Sequence, residues 1–166
     1  MKEQTWTKIV GVIGIILGCF GLLGAGQTMM MPKMIEMQKE MMPQMQKMLE
    51  KQQGSPQEVM NMMQKIWDTP EWFDSWCIIS GIMALIIAGF YIFASIGILQ
   101  IKKSSVKMFY LAAGISIGFS ILKGLIAMTA MPFMGIFVLI GGSFGVIINI
   151  ILLIVVAKGD KRVFIS

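Results

Sequence analysis

The sequence predicts an all-α integral membrane protein, a four-helix bundle with an extracytoplasmic helical hairpin between helices 1 and 2. Charged residues are absent from 9–32 and from 75–101, and the stretch between Lys107 and Lys158 contains only one, Lys123. A helix needs ~20 apolar residues to cross the hydrocarbon core of a bilayer. The first two stretches are therefore long enough for one crossing each, and the third is long enough for two.

The composition supports this fold class. Of the 166 residues, 56% are hydrophobic and only 14% are charged, which suits a small membrane protein and leaves no room for a separate catalytic domain. We expect residues 1–166 to form a single membrane domain. Its predicted segments are a first span at 8–31, a Met-rich outer helical hairpin at 32–71, and further spans at 72–100, 107–130 and 134–157. The short connections make the last three spans successive antiparallel neighbours.

The first span begins like a signal peptide, with a lysine, an apolar run and then Gly24-Ala25-Gly26. The apolar run nevertheless continues past Cys19, where a lipoprotein would be cleaved, so we predict an uncleaved helix. Cys19 lies in mid-span, whereas Cys77 lies near the outer end of the second span. Their depths differ by roughly 10 Å or more at the rise of a helix. We therefore expect no disulfide between them within one chain.

The outer segment contains specific helix boundaries. Gly54-Ser55-Pro56-Gln57-Glu58 combines a helix-stopping glycine, an N-cap serine, a proline at the first helical position and a glutamate at the third. This capping box predicts one helix ending just before it and a second helix continuing to about Trp67. Thr69-Pro70-Glu71 repeats the pattern, so the second span should begin near Pro70. No turn residues accompany Pro32, so the first span can continue outward as one long, kinked helix.

The charge distribution predicts the orientation in the membrane. Eight of the basic residues lie in the terminal segments and in the connection between spans two and three: Lys2, Lys8, Lys102, Lys103, Lys107, Lys158, Lys161 and Arg162. The 32–75 segment instead holds five lysines against seven acids. By the positive-inside rule, both termini and the 102–107 loop are cytoplasmic, and 32–75 lies outside the cell membrane. The basic charge then indicates topology and contact with the lipid bilayer, not a nucleic-acid surface.

Small residues recur at intervals of three and four in every span. The helix-packing candidates in the first span are Gly11, Gly14, Gly18 and Gly21, followed by Ala25. Comparable stripes are Gly81, Ala84, Ala88 and Ser95 in the second span, Ala113, Ser116, Ser120 and Ala127 in the third, and Gly142 and Gly145 in the fourth. Small residues let helix backbones approach closely where lipid offers no hydrophobic force between helices. Two interpretations remain open, a tight bundle core and a homo-oligomer interface.

Two intramembrane polar residues, Lys123 and Asn149, are candidate functional residues. Lys123 falls on the third stripe, and an ionisable side chain at the centre of a membrane helix costs ~2.5–3.5 kcal/mol, which makes it a functional candidate. It either snorkels or pairs structurally, or it serves a ligand, a proton or a partner's acid. Its nearest predicted counter-ions are Asp68, Glu71 and Asp74. Asn149 is predicted to donate an interhelical hydrogen bond.

The segment from Met29 to Met63 holds twelve of the 18 methionines. Their spacing places most of them on one side of a helix, with Gln, Lys and Glu opposite. The candidate partner- or ligand-binding residues are Met30, Met34, Met37, Met41, Met45, Met48, Met60 and Met63. Three interpretations are open: packing of the hairpin on itself or on the bilayer, a groove for a protein or an apolar ligand, and Cu(I) bound by Met34, Met37 and Met41.

No residue pattern in the sequence indicates enzyme chemistry. The chain contains no histidine, no glycine-rich phosphate loop after a strand and no metal-ligand spacing of His, Cys or carboxylates. We therefore expect a non-enzymatic protein without a cofactor. The leading hypothesis is an accessory or scaffold subunit that binds another membrane protein, or itself, through the methionine hairpin, the small-residue faces, or both. The alternative is a small carrier or binder of apolar ligands or Cu(I).

Overall fold

The computed structural model describes residues 5–49, 68–161 and 164. These residues form four α-helices: α1 (Thr5–Leu49), α2 (Trp72–Leu99), α3 (Ser105–Ala130) and α4 (Pro132–Lys158). All four are long and apolar enough to cross a membrane. The predicted all-α fold with four helices of membrane-spanning length is therefore confirmed. The predicted second outer helix and its capping box at Ser55 lie outside the described residues.

The first helix is much longer than a bilayer crossing requires. It contains 45 residues and runs through Pro32 and Pro43 without ending. At 1.5 Å per residue its length is roughly 68 Å, about twice the ~30 Å of a hydrocarbon core. The two prolines each remove one backbone donor, but no glycine or N-cap residue beside them offers the chain a turn. The first span therefore extends beyond the bundle as a continuous helix.

The helices contact one another in a ring. α1 packs on α2, α2 on α3, α3 on α4, and α4 makes a smaller contact with α1. The short connections at 100–104 and at Met131 make α2 and α3, and α3 and α4, antiparallel neighbours. Within this ring α1 stands diagonally opposite α3, and α2 stands diagonally opposite α4.

The turn after α2 contains a residue in the left-handed backbone conformation. The N–H of Ile101 donates to Ile98 O at 3.1 Å, and the N–H of Lys102 donates to Gly97 O at 3.0 Å. These two bonds form a Schellman motif, in which glycine usually occupies the left-handed position. Here the position is occupied by Ile101, with φ 54°, an unfavourable conformation for a β-branched residue. The side chain of Ile101 packs against the core, which compensates for the backbone conformation.

Two buried clusters lie at opposite ends of the bundle. The larger one, near both chain ends, includes Val10, Ile98, Phe109 and Val156, all fully buried. We call this the terminal end. The smaller cluster consists of Ile35, Phe73, Cys77, Ala130 and Met131. We call this the distal end, and α1 alone among the described helices continues past it.

The lateral surface of the bundle is apolar. Large side chains from α1, α2 and α4 are more than 60% exposed, among them Phe20, Leu23, Ile86, Phe93 and Phe144. A soluble monomer rarely exposes contiguous apolar surface on this scale. Backbone polar groups within the spans are satisfied by the helices themselves, as a hydrocarbon environment demands. This surface fits contact with lipid.

Candidate functional site

The glycines of α1 form a close seam with α2. A Cβ added at Gly14 would lie 3.0 Å from Ser95 Cβ, and one added at Gly21 would lie 3.0 Å from Ala88 Cβ. A Cβ added at Gly11 would come closer still to the side chain of Leu99, and one added at Gly18 closer still to that of Ile92. Contacts this short leave no room for a side chain on the α1 side.

The glycines of α4 are arranged differently. Nothing lies within 4 Å of a Cβ added at Gly141, Gly142 or Gly145. Gly142 and Gly145 therefore do not pack against another described helix of the same chain, and their role in an interface between copies stays a prediction. Their backbone lines an open volume, because the helix opposite does not approach them.

That volume is a chamber inside the bundle. It measures about 340 Å³ and is lined by residues from all four helices, including Gly24 of α1, Ala84 of α2 and Ser120 of α3. On α1 its wall runs from Leu17 to Ala25, which corresponds to ~12 Å along the helix axis. Ligand pockets of proteins typically measure roughly 300–1,000 Å³, and the interior of a helix bundle is a common place for them.

Lys123 lies at the distal end of the chamber. Its ammonium group donates a hydrogen bond to Thr28 Oγ1 of α1, and the Thr28 hydroxyl donates in turn to Gly24 O at 2.8 Å. This hydrogen bond joins the diagonal pair α1 and α3. The predicted counter-ions were Asp68, Glu71 and Asp74, but within the described residues no ion pair joins any of them to Lys123.

Asn149 lies at the terminal end of the chamber. Tyr91 OH of α2 donates to Asn149 Oδ1 at 2.6 Å, and Asn149 Nδ2 donates to Gly145 O of its own helix at 2.9 Å. Asn149 was expected to donate the interhelical bond and instead accepts it. This hydrogen bond joins the other diagonal pair, α2 and α4. Tyr91 also packs edge-on against Phe109, with ring centroids 5.4 Å apart.

The two hydrogen bonds lie at the two ends of the chamber. Each crosses one diagonal of the ring, at a different depth, where the helices are too far apart for direct packing. Sequence reasoning singled out Lys123 and Asn149 but missed their partners Thr28 and Tyr91. A usable signal existed for Thr28, since few residues near the distal end of the first span carry a hydrogen-bonding side chain.

The methionine face of α1 comprises Met30, Met34, Met37, Met41 and Met45. Their exposed fractions are 66%, 55%, 55%, 55% and 38%, and at 100° per residue they lie within about 80° of arc. Met30 and Met34 stand level with the bundle, whereas the other three lie beyond the buried Ile35. The side chain of Met48, and both Met60 and Met63, lie outside what the structure describes.

Metal-binding features are few in the described part of the chain. Cys19 and Cys77 are free, as expected, and the described ranges contain no cluster of three His, Cys, Asp or Glu side chains that could hold a metal ion. Met34, Met37 and Met41 share one side of α1, so the alternative of a thioether Cu(I) site stays a prediction.

No family model, no curated protein and no solved structure matches the chain.

Proposed function

We propose that this protein is a non-enzymatic, multi-pass membrane protein that serves as an accessory or scaffold subunit and binds another membrane protein through the methionine face. The observation that carries the proposal is the exposure of Met37, Met41 and Met45 on the part of α1 that extends beyond the bundle. Exposed methionines on a lipid-facing helix need no explanation. Beyond the distal end the same side chains offer an apolar surface on which a partner protein would bind.

The chemistry of the projecting helix suits an apolar partner surface. Glu36, Lys39, Glu40 and Lys47 are all exposed and occupy the opposite side of α1, so the helix presents one charged and one apolar side. Methionine is unbranched and polarizable, and it adapts to irregular apolar partners. An amphipathic helix of this kind binds by laying its apolar side into a groove.

Orientation in the membrane is part of the proposal. With the termini and the 102–107 loop in the cytoplasm, the projecting end of α1 lies outside the cell membrane. In a protein whose native cysteines are replaced by alanine, Gln44→Cys should react with an impermeant maleimide on intact cells, and Ser104→Cys should react only after permeabilisation. Both positions are exposed. The reverse order of labelling would contradict the proposed topology.

The decisive test replaces Met37, Met41 and Met45 together with glutamine. Glutamine is a good helix former of similar length, so α1 should survive. Full burial of one methionine contributes ~1.5–3 kcal/mol, so partial burial of three should weaken partner binding by roughly 100-fold or more. The measurement is co-purification in mild detergent followed by mass spectrometry of the bound proteins.

A matched control makes the same number of changes on the other side of the helix. Glu36→Gln, Glu40→Gln and Lys47→Gln together should leave the partner bound. Loss of a differently tagged copy of this chain would identify self-association instead of a second protein. Loss of Cu(I) with every protein partner retained would favour the alternative of a Cu(I) binder. Partner binding unaffected by the methionine changes would refute the proposal.

A further inference from the structure

The chamber inside the bundle is too large to be a packing defect. Its volume of about 340 Å³ would hold on the order of ten water molecules at ~30 Å³ each. Three glycines of α4 and Gly24 of α1 line the chamber, and a Cβ added at any of them would meet no atom within 4 Å. An ordinary bundle would fill these positions with side chains.

The described wall of the chamber carries one charged residue. Among the described residues that line the chamber, Lys123 is the only Lys or Arg, and none is Asp or Glu. A lysine ammonium has three donors, and the structure gives one of them to Thr28. Two donors of the Lys123 ammonium group are therefore available at the distal end of an otherwise mainly apolar volume, where an anion would accept a hydrogen bond from both.

The chamber is reached from the side of the bundle. Phe20 of α1 and Gly141 of α4 line it and are both exposed, and α1 and α4 form the smallest contact in the ring. The opening therefore lies between these two helices, on the surface that faces lipid. A solute entering this way comes from the bilayer and brings an apolar part with it.

We propose that the chamber binds one amphiphile with an anionic head group and an aliphatic tail. The head group pairs with the Lys123 ammonium at the distal end. The tail lies along the glycines of α4 and against Leu17, Ile87 and Phe119, and the Tyr91–Asn149 hydrogen bond closes the other end. A free fatty acid and an anionic phospholipid share this chemistry. The site is independent of the methionine face, so either proposal can fail alone.

The test measures binding of radiolabelled oleate to the full chain in phosphatidylcholine nanodiscs. The key variant is Gly142→Leu, which fills the chamber from a position with free space at Cβ. Its matched control is Gly118→Leu, the same change at an exposed position of α3 where the Cβ also meets nothing within 4 Å. We expect Gly142→Leu to weaken oleate binding by about tenfold or more, and Gly118→Leu to leave it unchanged.

The head group is tested separately. Lys123→Met should weaken oleate binding by about tenfold or more while leaving the binding of uncharged oleyl alcohol unaltered. Lys123→Arg keeps a basic side chain and should retain oleate binding. Should Lys123→Met fail to fold, the arginine variant and the two glycine variants still decide the matter. Competition by phosphatidylglycerol would identify a phospholipid as the occupant, and its absence would identify a fatty acid.

Three results would overturn the proposal. The first is oleate binding that is equal in Gly142→Leu and Gly118→Leu, since the chamber would then not be the site. The second is equal affinity of the native chain for oleate and oleyl alcohol, since no anion would then be recognised. The third is the absence of saturable binding of both oleate and phosphatidylglycerol.

Discussion

Two sets of glycines at intervals of three or four residues have opposite surroundings in this protein. On α1, Gly14 and Gly18 lie directly against side chains of α2, so that an added Cβ would collide with them. On α4, Gly142 and Gly145 face open space within the bundle. The sequence pattern is similar in both helices, but only the first set brings two backbones together.

The comparison shows that a small-residue stripe has two possible uses in a membrane bundle. It permits close approach when a second helix is present at the same face. When the helix opposite is held away, the same stripe leaves a cavity. Here the Lys123–Thr28 and Tyr91–Asn149 hydrogen bonds connect diagonal helices across that gap, so the chamber and its polar ends belong to one arrangement.

The largest effect is expected from adding bulk to the α1–α2 seam. Gly14→Leu should destabilise the protein by roughly 1–3 kcal/mol or more, because the new side chain collides with the buried Ser95. Thermal unfolding in detergent measures this, with Gly118→Leu as the control of equal size. If both variants unfolded at the same temperature, the seam would not be a close-packed interface.

A smaller effect is expected from breaking the diagonal bond at the terminal end of the chamber. Asn149→Leu should cost ~0.6–1.7 kcal/mol, from the average to the maximum found by double-mutant cycles for hydrogen bonds between membrane helices, because Tyr91 OH loses its acceptor. Adding Tyr91→Phe removes the unsatisfied hydroxyl. In a double-mutant cycle, the double variant should therefore lose less unfolding free energy than the two single variants lose in sum. Strict additivity would show that the two side chains are not coupled.

The smallest effect, and one of opposite sign, is expected at the glycines of the chamber. Gly142→Ala should be neutral or stabilising by up to ~1 kcal/mol, since alanine is the better helix former and its methyl group meets no neighbour. Gly14→Ala is the matched comparison and should lower the unfolding temperature. Destabilisation by Gly142→Ala would mean that the helices close around this position, which would remove the distinction between the two sets.

Much of the fold could be predicted because its signals are local. The uncharged stretches and the short connections each depend on neighbouring residues in the chain, and the four helices follow from them. The cap pattern at Thr69-Pro70-Glu71 predicted the start of α2 closely but not its cap, since Glu71 is the N-cap residue and makes no side-chain cap hydrogen bond. The candidate site was predictable only in part. Lys123 and Asn149 stand out as polar residues in apolar helices, but their partners are distant in sequence, and nothing local indicates which helix each of them faces.

By itself the sequence determined that this chain forms four apolar helices long enough to cross a membrane, the first with a methionine-rich extension. The tertiary structure decided which glycines contact a neighbour and which line a chamber. The physical reason lies in the range of the interactions. Helix formation and membrane spanning depend on composition and hydrogen bonds within a few residues, whereas a contact or a void at Gly14 or Gly142 depends on the position of another helix.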